Sequence, residues 1–533
     1  MKTKIICVFG GVYSSLGKGI VASSISRVIR ELGNNVEILK LEPYLNVDPG
    51  LMSPYQHGEV YVTYDGGETD LDLGSYERIG GCRVSRKQYI TSGAIYNEII
   101  QNERAGRYNG KTVQVVPHVT GLFKTKVFDV IDACEPDFLV IEIGGTIGDM
   151  ESLAIIESLR EIQKEVGRDN FLPILLAPLI HLGGTTGELK TKPCQHAYTE
   201  LCKLGIVAEM VVLRSEIDIT KDVVDKMASH CHIPDDYIFI SKTLPSVYYL
   251  PSEFYAQGIH KAIYKYFKMK LLPAKNLDKW NKYIENIKNI KKTVTIAMVG
   301  KYMELHDAYA SVIEAIKLAG WENGVNVDIK WIQSDPITPK TVKEIMHGVQ
   351  GIIVPGGFGG RGTEGIIESI KYARENKVPY LGICYGMQLA TIEFARNVLG
   401  YKDANTTEID AETKHVMFDF IDGRMRLGEC KCIIDDEKTL AYKLYGKKVV
   451  PQRHRHRYEF NNDYLNEFAK NGYIISAHSD DEAKTAEMAE LKNHPFFFGC
   501  QFHPEFSSHP GANDGAFVGL IKAAIAHVCS TKK

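Results

Sequence analysis

The chain has no apolar run long enough to cross a bilayer. Its most apolar stretch, FLPILLAPLI at 171–180, falls far short of the roughly 20 residues a membrane helix needs. It has no excess of either charge, with 63 Lys+Arg against 66 Asp+Glu and a net charge of −3. A nucleic-acid binder ordinarily carries a basic excess. Neither nucleic acid nor a membrane is therefore an expected partner. The 11 cysteines show no repeating spacing. That excludes a secreted disulfide framework and leaves the reduced thiols of a cytoplasmic enzyme. There is no internal repeat and no low-complexity tract. What remains is ordinary globular composition, 44% hydrophobic and 24% charged over 533 residues. Length alone suggests roughly 3.6 domains. The opening MKTKIICVFGG ends its apolar run in glycines without a small-residue cleavage site, so it reads as a first β-strand rather than a signal peptide.

Two α/β series follow. In the first, IICVFGG reads as a buried strand, GIVASSISRVIREL as a helix, NVEILKLEPYLNV as extended and FLVIEIGGTIG as another buried strand. This is the rhythm of a parallel sheet covered by helices. Between about 255 and 292 the texture turns polar and lysine-rich, predicting an amphipathic helix, a Pro-containing link and a second helix. The second series runs from TVTIAMVGKY at 293–302 through NVDIKWI, GIIVPGGFG and VPYLGICYGMQLA to FFFGCQFHPEF. The expected fold is α/β, with two doubly wound parallel-sheet domains at 1–266 and 293–533 and a linker at 267–292.

GGVYSSLGKGI at 10–20 lies between a predicted strand and a predicted helix. Glycines let backbone N–H groups approach phosphate oxygens, the helix start adds partial positive charge, and Lys18 adds a full one. The standard P-loop would have glycine at Val12 and a hydroxyl at Gly19. Without that hydroxyl, a metal must be held by carboxylates. Asp72 in ETDLDLGSYER and Glu142 at the end of a buried strand are the candidates, and oxygen ligands suit Mg²⁺.

GICYG at 382–386 fits a strand-to-helix nucleophile elbow. Small neighbours allow the sharp turn, and a helix start favours a thiolate over a thiol. A cysteine nucleophile needs a base, and the base needs an orienting acid. HPEF supplies His503 and Glu505, two apart and on one side of an extended segment. Oxyanion donors are expected from the N–H of Tyr385 and from the PGGFGG turn at Gly357.

These motifs carry a resemblance. GICYGMQLA with QFHPEF resembles a class I glutamine amidotransferase domain. GGVYSSLGKGI, LEPYLNVDPG, MSPYQHGEVYVTYDGGETDLDLGSYER, IEIGGTIGDMES, ELKTKPCQH and RHRHRYE resemble the CTP synthase family. The resemblance spans essentially the whole chain. It implies a P-loop-like (dethiobiotin-synthetase-like) amidoligase domain followed by a class I glutaminase domain. The reaction it implies is the final step of CTP synthesis: UTP, ATP, glutamine and water become CTP, ADP, phosphate and glutamate. It implies Mg²⁺ with ATP, GTP as an activator, CTP as feedback inhibitor, a homotetramer, filaments, and no redox or covalent cofactor.

Roles carry over by resemblance. Ser15, Leu16, Gly17, Lys18, Gly19 and Ile20 would cradle ATP, with Lys40 and Asp72 beside it. Asp72 and Glu142 would hold Mg²⁺. Ser14, Asp149, Met150, Glu151, Lys190, Thr191, Lys192, Pro193, Cys194, Gln195 and Lys226 would form the UTP/CTP site. Gly357, Tyr385, Gly386, Met387, Gln388, Glu408 and Arg457 would form the glutamine pocket, with the planar fork of Arg457 suited to a carboxylate. Pro54, His57 and Val60 would gate an ammonia path. Cys194 stands where the family commonly has a small hydroxyl residue, and a thiol bonds more weakly, so nucleotide affinity is expected to differ. NTTE at 405–408 keeps a family hydroxyl, and GTEGII at 362–367 lacks a basic residue often found in the neighbourhood used for GTP activation.

Two other readings compete. A cobyrinic-acid-type amide synthetase shares the P-loop variant and the cysteine elbow, but the lysines of KTKPCQH suit a triphosphate. A non-enzymatic P-loop switch or filament protein is disfavoured by the intact Cys384, His503 and Glu505. His230-Cys231-His232 reads as structural rather than as a metal clip, because adjacent side chains diverge and no partner pair is apparent. His118 reads as a satisfied polar residue near a strand end. Cys7, Cys134, Cys202, Cys430, Cys432 and Cys500 read as thiols without chemistry.

Overall fold

Seven runs of apolar residues in the first half of the chain pair into one all-parallel sheet. Its order is Ile238–Lys242, Met210–Ser215, Phe171–Pro178, Lys4–Gly10, Phe138–Ile143, Val36–Glu42, Tyr89–Thr91. Every residue of Phe138–Ile143 and Phe171–Pro178 is buried. Strands covered on both faces read as continuous apolar runs, which is how they appear in the sequence. The computed structural model describes residues 2–181, 188–271, 277–301, 303–420 and 425–531. The chain steps from Lys4–Gly10 over one strand position to Val36–Glu42 and on to Tyr89–Thr91 at the edge, then returns to insert Phe138–Ile143 between Lys4–Gly10 and Val36–Glu42. A crevice forms at such a reversal, outside the carboxyl ends of the strands.

The second unit contains a nine-stranded sheet. Asn326–Gln333, Thr293–Gly300, Gly351–Val354, Tyr380–Ile383 and Phe497–Cys500 pair in parallel in that order. Ala486–Leu491, Tyr473–Ser479, Arg426–Ile434 and Val449–His456 extend it as antiparallel strands. The parallel layout expected from the sequence therefore describes five strands of this sheet. The other four alternate in direction, and an antiparallel pair needs no crossover helix.

The compact units do not follow the order of the sequence. One comprises Met1–Leu51 with Asp72–Glu285, the other Met52–Leu71 with Asn286–Lys533. Residues 52–71, expected in the first domain, pack in the second unit. The Glu59 carboxylate accepts Ser311 N at 3.0 Å and Ser311 Oγ at 2.6 Å, capping the start of helix Ala310–Glu322. Glu59 N donates to Asp307 O at 2.9 Å, and Arg455 Nε meets Glu68 at 2.8 Å.

The expected linker also holds structure. Helix Leu277–Lys288 buries Trp280, whose Nε1 donates to Tyr248 O at 3.2 Å and whose ring lies under Arg27. Residues up to Glu285 accordingly belong to the first unit. The predicted Pro-containing link at 272–276 lies outside the described residues. Among the described residues, no helix is long and apolar enough to cross a membrane.

Phe123 is fully buried in the core of the first unit. Phe123→Ala should lower its stability by about 3–5 kcal/mol through lost transfer energy and a residual cavity. Urea unfolding followed by circular dichroism measures this, and a loss below about 1 kcal/mol would contradict that packing.

Candidate functional site

Strand Lys4–Gly10 passes to helix Lys18–Glu31 through a loop in which Val12, Ser15 and Gly17 hold φ of 81°, 58° and 93°. Such angles in non-glycine residues are strained and cluster at ligand clamps. Lys18 folds back over the strand end, and its Nζ donates to Gly145 O at 2.7 Å. A β-carbon on Gly10 would lie 2.5 Å from Lys18 Cδ, so glycine makes room for the lysine stem. Burial pushes the Lys18 pKa down, against the pull of Glu142.

Two carboxylates converge on the start of this helix. A β-carbon on Gly19 would lie 2.6 Å from Asp72 Oδ1 and 3.2 Å from Glu142 Oε2. The missing P-loop hydroxyl thus has a steric reason, since carboxylate oxygens fill the space it would use. Asp72 also pairs with Lys40, and Lys40 lies 3.4 Å from Glu42. Glu142 accepts the Tyr76 hydroxyl. Burial, then the Asp72 charge, raises the Glu142 pKa above the ordinary carboxylate range, while Lys40 and Lys18 oppose the rise. An additional cation would relieve that repulsion. The oxygen donors and nearby lysines fit a Mg²⁺–phosphate complex.

Of the residues assigned to UTP and CTP, the 149–151 loop and helix Lys192–Lys203 lie near the loop at 10–15. Ile147 N donates to Gly10 O at 2.9 Å, which ties the loop before Asp149 to the loop carrying Ser14 and Ser15. Helix Lys192–Lys203 packs its Ala197 against Gly11 and its Glu200 against Gly148. Met150 is 82% exposed, and Asp149, Glu151, Lys192 and Lys226 are also exposed. Cys194 is different, because its side chain is fully buried in the apolar core. Its thiol does not face the crevice, so the expected effect on nucleotide affinity has no side-chain route.

In the second unit, strand Tyr380–Ile383 turns into helix Tyr385–Phe394 at Cys384, with φ 50° and ψ −101°. Gly386 lets the turn close, since a β-carbon there would lie 2.2 Å from Val354 O. Cys384 shares a cavity of about 140 Å³ with His503, Glu505, Gly356, Gly357 and Arg455. One water needs only about 10–15 Å³, so a small amide-bearing ligand fits. Pro54 and Val60 line the same cavity, and His57 lies 3.5 Å from Asp70.

His503 and Glu505 meet, though not on an extended segment. Pro504–Ser507 is a 3₁₀ turn with proline at its first position, where proline's fixed φ is pre-organised. The turn brings His503 Nδ1 to 2.7 Å from Glu505 Oε1. His503 Nε2 is buried without a hydrogen-bond partner. Burial alone would lower the His503 pKa, but Glu505 and Cys384 outweigh it and raise it to about 10.

Of the residues assigned to glutamine, Glu408 accepts Gly359 N at 2.9 Å and so supports the PGGFGG turn. Gly357 lies against the Tyr385 ring, and Gln388 is buried with its Nε2 3.4 Å from Tyr458 O. The Met387 side chain is turned into the apolar core. Arg457 is exposed, and the arginine lining the cavity is Arg455.

The family model described as CTP synthase N-terminus matches residues 4–269, and that described as Glutamine amidotransferase class-I matches 304–523. CTP synthase of Clostridium acetobutylicum is 45% identical over 544 residues, covering 100% of both chains. That of Caldanaerobacter subterraneus subsp. tengcongensis is 46% identical, covering 98% of each. The chain belongs to the CTP synthase family. Membership implies ATP-dependent amination of UTP to CTP with glutamine as nitrogen source. Among solved structures, the glutaminase domain of Trypanosoma brucei CTPS with bound acivicin is 35% identical. That match covers 44% of this chain and 94% of that one, at a TM-score of 0.42.

Sequence reasoning missed Lys301, Arg455 and Gln501. Lys301 Nζ donates to Phe358 O at 2.7 Å and to Gly359 O, and lies 4.6 Å from the Tyr385 ring centre. Burial lowers its pKa to about 8. A lysine at the end of a predicted strand carries no signal of this until the PGGFGG turn folds beside it. Among the described residues, Cys432, His454 and Glu487 are the one group with metal-ligand proximity. Arg426 already pairs with that carboxylate, and His230-Cys231-His232 forms no such group.

Because the folded-state pKa of His503 is raised, its stabilising contribution is full below its unfolded value near 6.5 and is lost as pH rises through about 10. Glu505→Gln removes the main opposing charge. It should shift the His503 titration down by about 1–3 units, readable by NMR of the labelled imidazole. An unmoved titration would show that Glu505 does not set this value.

Proposed function

We propose that the family reaction is divided between the two sites as follows. The Cys384 thiolate attacks the side-chain amide carbon of glutamine, and protonated His503 gives its proton to the departing nitrogen. Ammonia leaves and a thioester remains. His503, now neutral, takes a proton from water as the water attacks the thioester, releasing glutamate. Glu505 holds the imidazole and stabilises its charged form. The backbone N–H groups of Gly357 and Tyr385 stabilise the oxyanion, with the turn supported by Lys301 and Glu408. Gln388 and Arg457 complete the glutamine pocket.

In the first unit, Lys18 and Lys40 neutralise ATP phosphates, and the strained 15–20 loop offers backbone donors. Asp72 and Glu142 would hold Mg²⁺, which would screen the phosphate oxygens. The 4-oxygen of UTP is a poor leaving group, so phosphorylation by ATP makes it displaceable. Ser14, the 149–151 loop, the 190–195 segment and Lys226 bind UTP, and CTP as feedback inhibitor. Free ammonium is not a nucleophile, so ammonia must travel neutral and sheltered from water. Pro54, His57 and Val60 gate its exit. GTP activation, a homotetramer, filaments and a cytoplasmic location belong to the same reading.

The observation that carries this is the buried Cys384–His503–Glu505 constellation in a cavity walled partly by Pro54 and Val60. The direct test is CTP formation from UTP, ATP and Mg²⁺, with glutamine or ammonium chloride as nitrogen source. Both should yield CTP. Cys384→Ala should lower the glutamine-dependent rate by at least about 10³-fold and spare the ammonia-dependent rate. Loss of both in a folded protein would sink the two-site reading. Asp72→Asn should weaken both activities by about tenfold or more at limiting Mg²⁺, and normal turnover there would remove Asp72 as a ligand.

A further inference from the structure

We propose that Gln501 holds the Cys384 sulfur in its reactive form by donating an amide N–H to it. This rests on the reading of Cys384 as nucleophile. Gln501 follows strand Phe497–Cys500 and is 1% exposed. Its backbone is fixed where its N–H donates to Glu487 O at 2.9 Å. Its Nε2 lies 3.6 Å from Cys384 Sγ.

The direction of this contact follows from its neighbours. Gln388 Nε2 lies 3.4 Å from Tyr458 O and 3.3 Å from Gln501 Oε1. A backbone carbonyl only accepts, so Gln388 must present its NH₂ group to Tyr458. The same NH₂ group then faces Gln501, which must answer with its oxygen. The remaining end of the Gln501 amide, its NH₂ group, is left pointing at the sulfur. One backbone carbonyl therefore sets the polarity of both amides.

The sulfur needs such a donor. Its other polar neighbours are the His503 imidazole and Arg455 O at 3.9 Å, the latter an acceptor that favours the thiol and repels a thiolate. Cys384 is 5% exposed, so water does little to stabilise the anion. A neutral amide supplies a hydrogen bond to charge without competing for the proton that His503 must carry. Hydrogen bonds to charged groups are the stronger class.

The test is alkylation of Cys384 by iodoacetamide in the full-length protein, followed by peptide mass spectrometry across a pH series. Gln501→Met removes the donor at similar size, and the pH profile of the alkylation rate should move up by about one unit. Gln501→Glu is nearly isosteric and turns a carboxylate toward the sulfur, so its profile should move further in the same direction. Profiles that superimpose on the parent in both variants, with unchanged unfolding temperatures, would overturn the proposal and leave Gln501 a packing residue. If Met does not fold, the Glu variant decides alone. Failure of the underlying reading looks different: the parent chain would then label Cys384 no faster than its other cysteines near neutral pH.

Discussion

The backbone at Cys384 constrains everything around the glutaminase site. A non-glycine residue at φ 50° and ψ −101° costs of order 1–3 kcal/mol and persists only when its surroundings over-determine it. Here they do. A β-carbon on Gly382 would lie 2.6 Å from the carbonyl carbon of Gly386, and one on Gly386 would lie 2.2 Å from Val354 O. Cys384 N donates to Cys500 O at 2.6 Å, which ties the elbow to the strand that leads into Gln501, His503 and Glu505. Cys384, the Gln501 amide and the His503–Glu505 pair are thus placed by one strand pairing, Tyr380–Ile383 on Phe497–Cys500.

The two units manage buried charge differently. Around Gly19, carboxylates and lysines alternate: Asp72 with Lys40, Glu142 near Lys18 and Lys40. Their mutual attraction offsets only part of the desolvation that favours the neutral forms, and a highly charged ligand can join that balance. Around Cys384 the partners are the His503–Glu505 and Arg455–Glu68 ion pairs, neutral amides and backbone groups. Lys301 stands between these styles, since three oxygens receive its ammonium yet burial still lowers its pKa.

Segment 52–71 shows how a fold can lend residues across sequence boundaries. It leaves the first unit after Leu51, returns at Asp72, and in between caps helix Ala310–Glu322 through Glu59. It also places Pro54 and Val60 in the wall of the Cys384 cavity. The metal candidate Asp72 begins directly where the segment ends.

Much was legible along the chain. The continuous apolar runs at 4–10, 138–143 and 171–178 read as buried strands, glycines at 10, 19, 382 and 386 mark places where backbone comes close to something, and Gly17 takes a left-handed φ of 93° with nothing beside it. Cys384, His503, Glu505 and Lys18 were readable because each lies in a short motif whose spacing is local. The antiparallel half of the second sheet, the 3₁₀ turn at His503, the inward-facing Cys194 and the roles of Lys301 and Gln501 were not readable. Each depends on which distant segment lies alongside, as Phe358 lies by Lys301 and Tyr458 by Gln388. Local spacing and backbone sterics act within a few residues and are written in the chain. Hydrogen-bond direction and burial depend on groups that only the folded packing brings together.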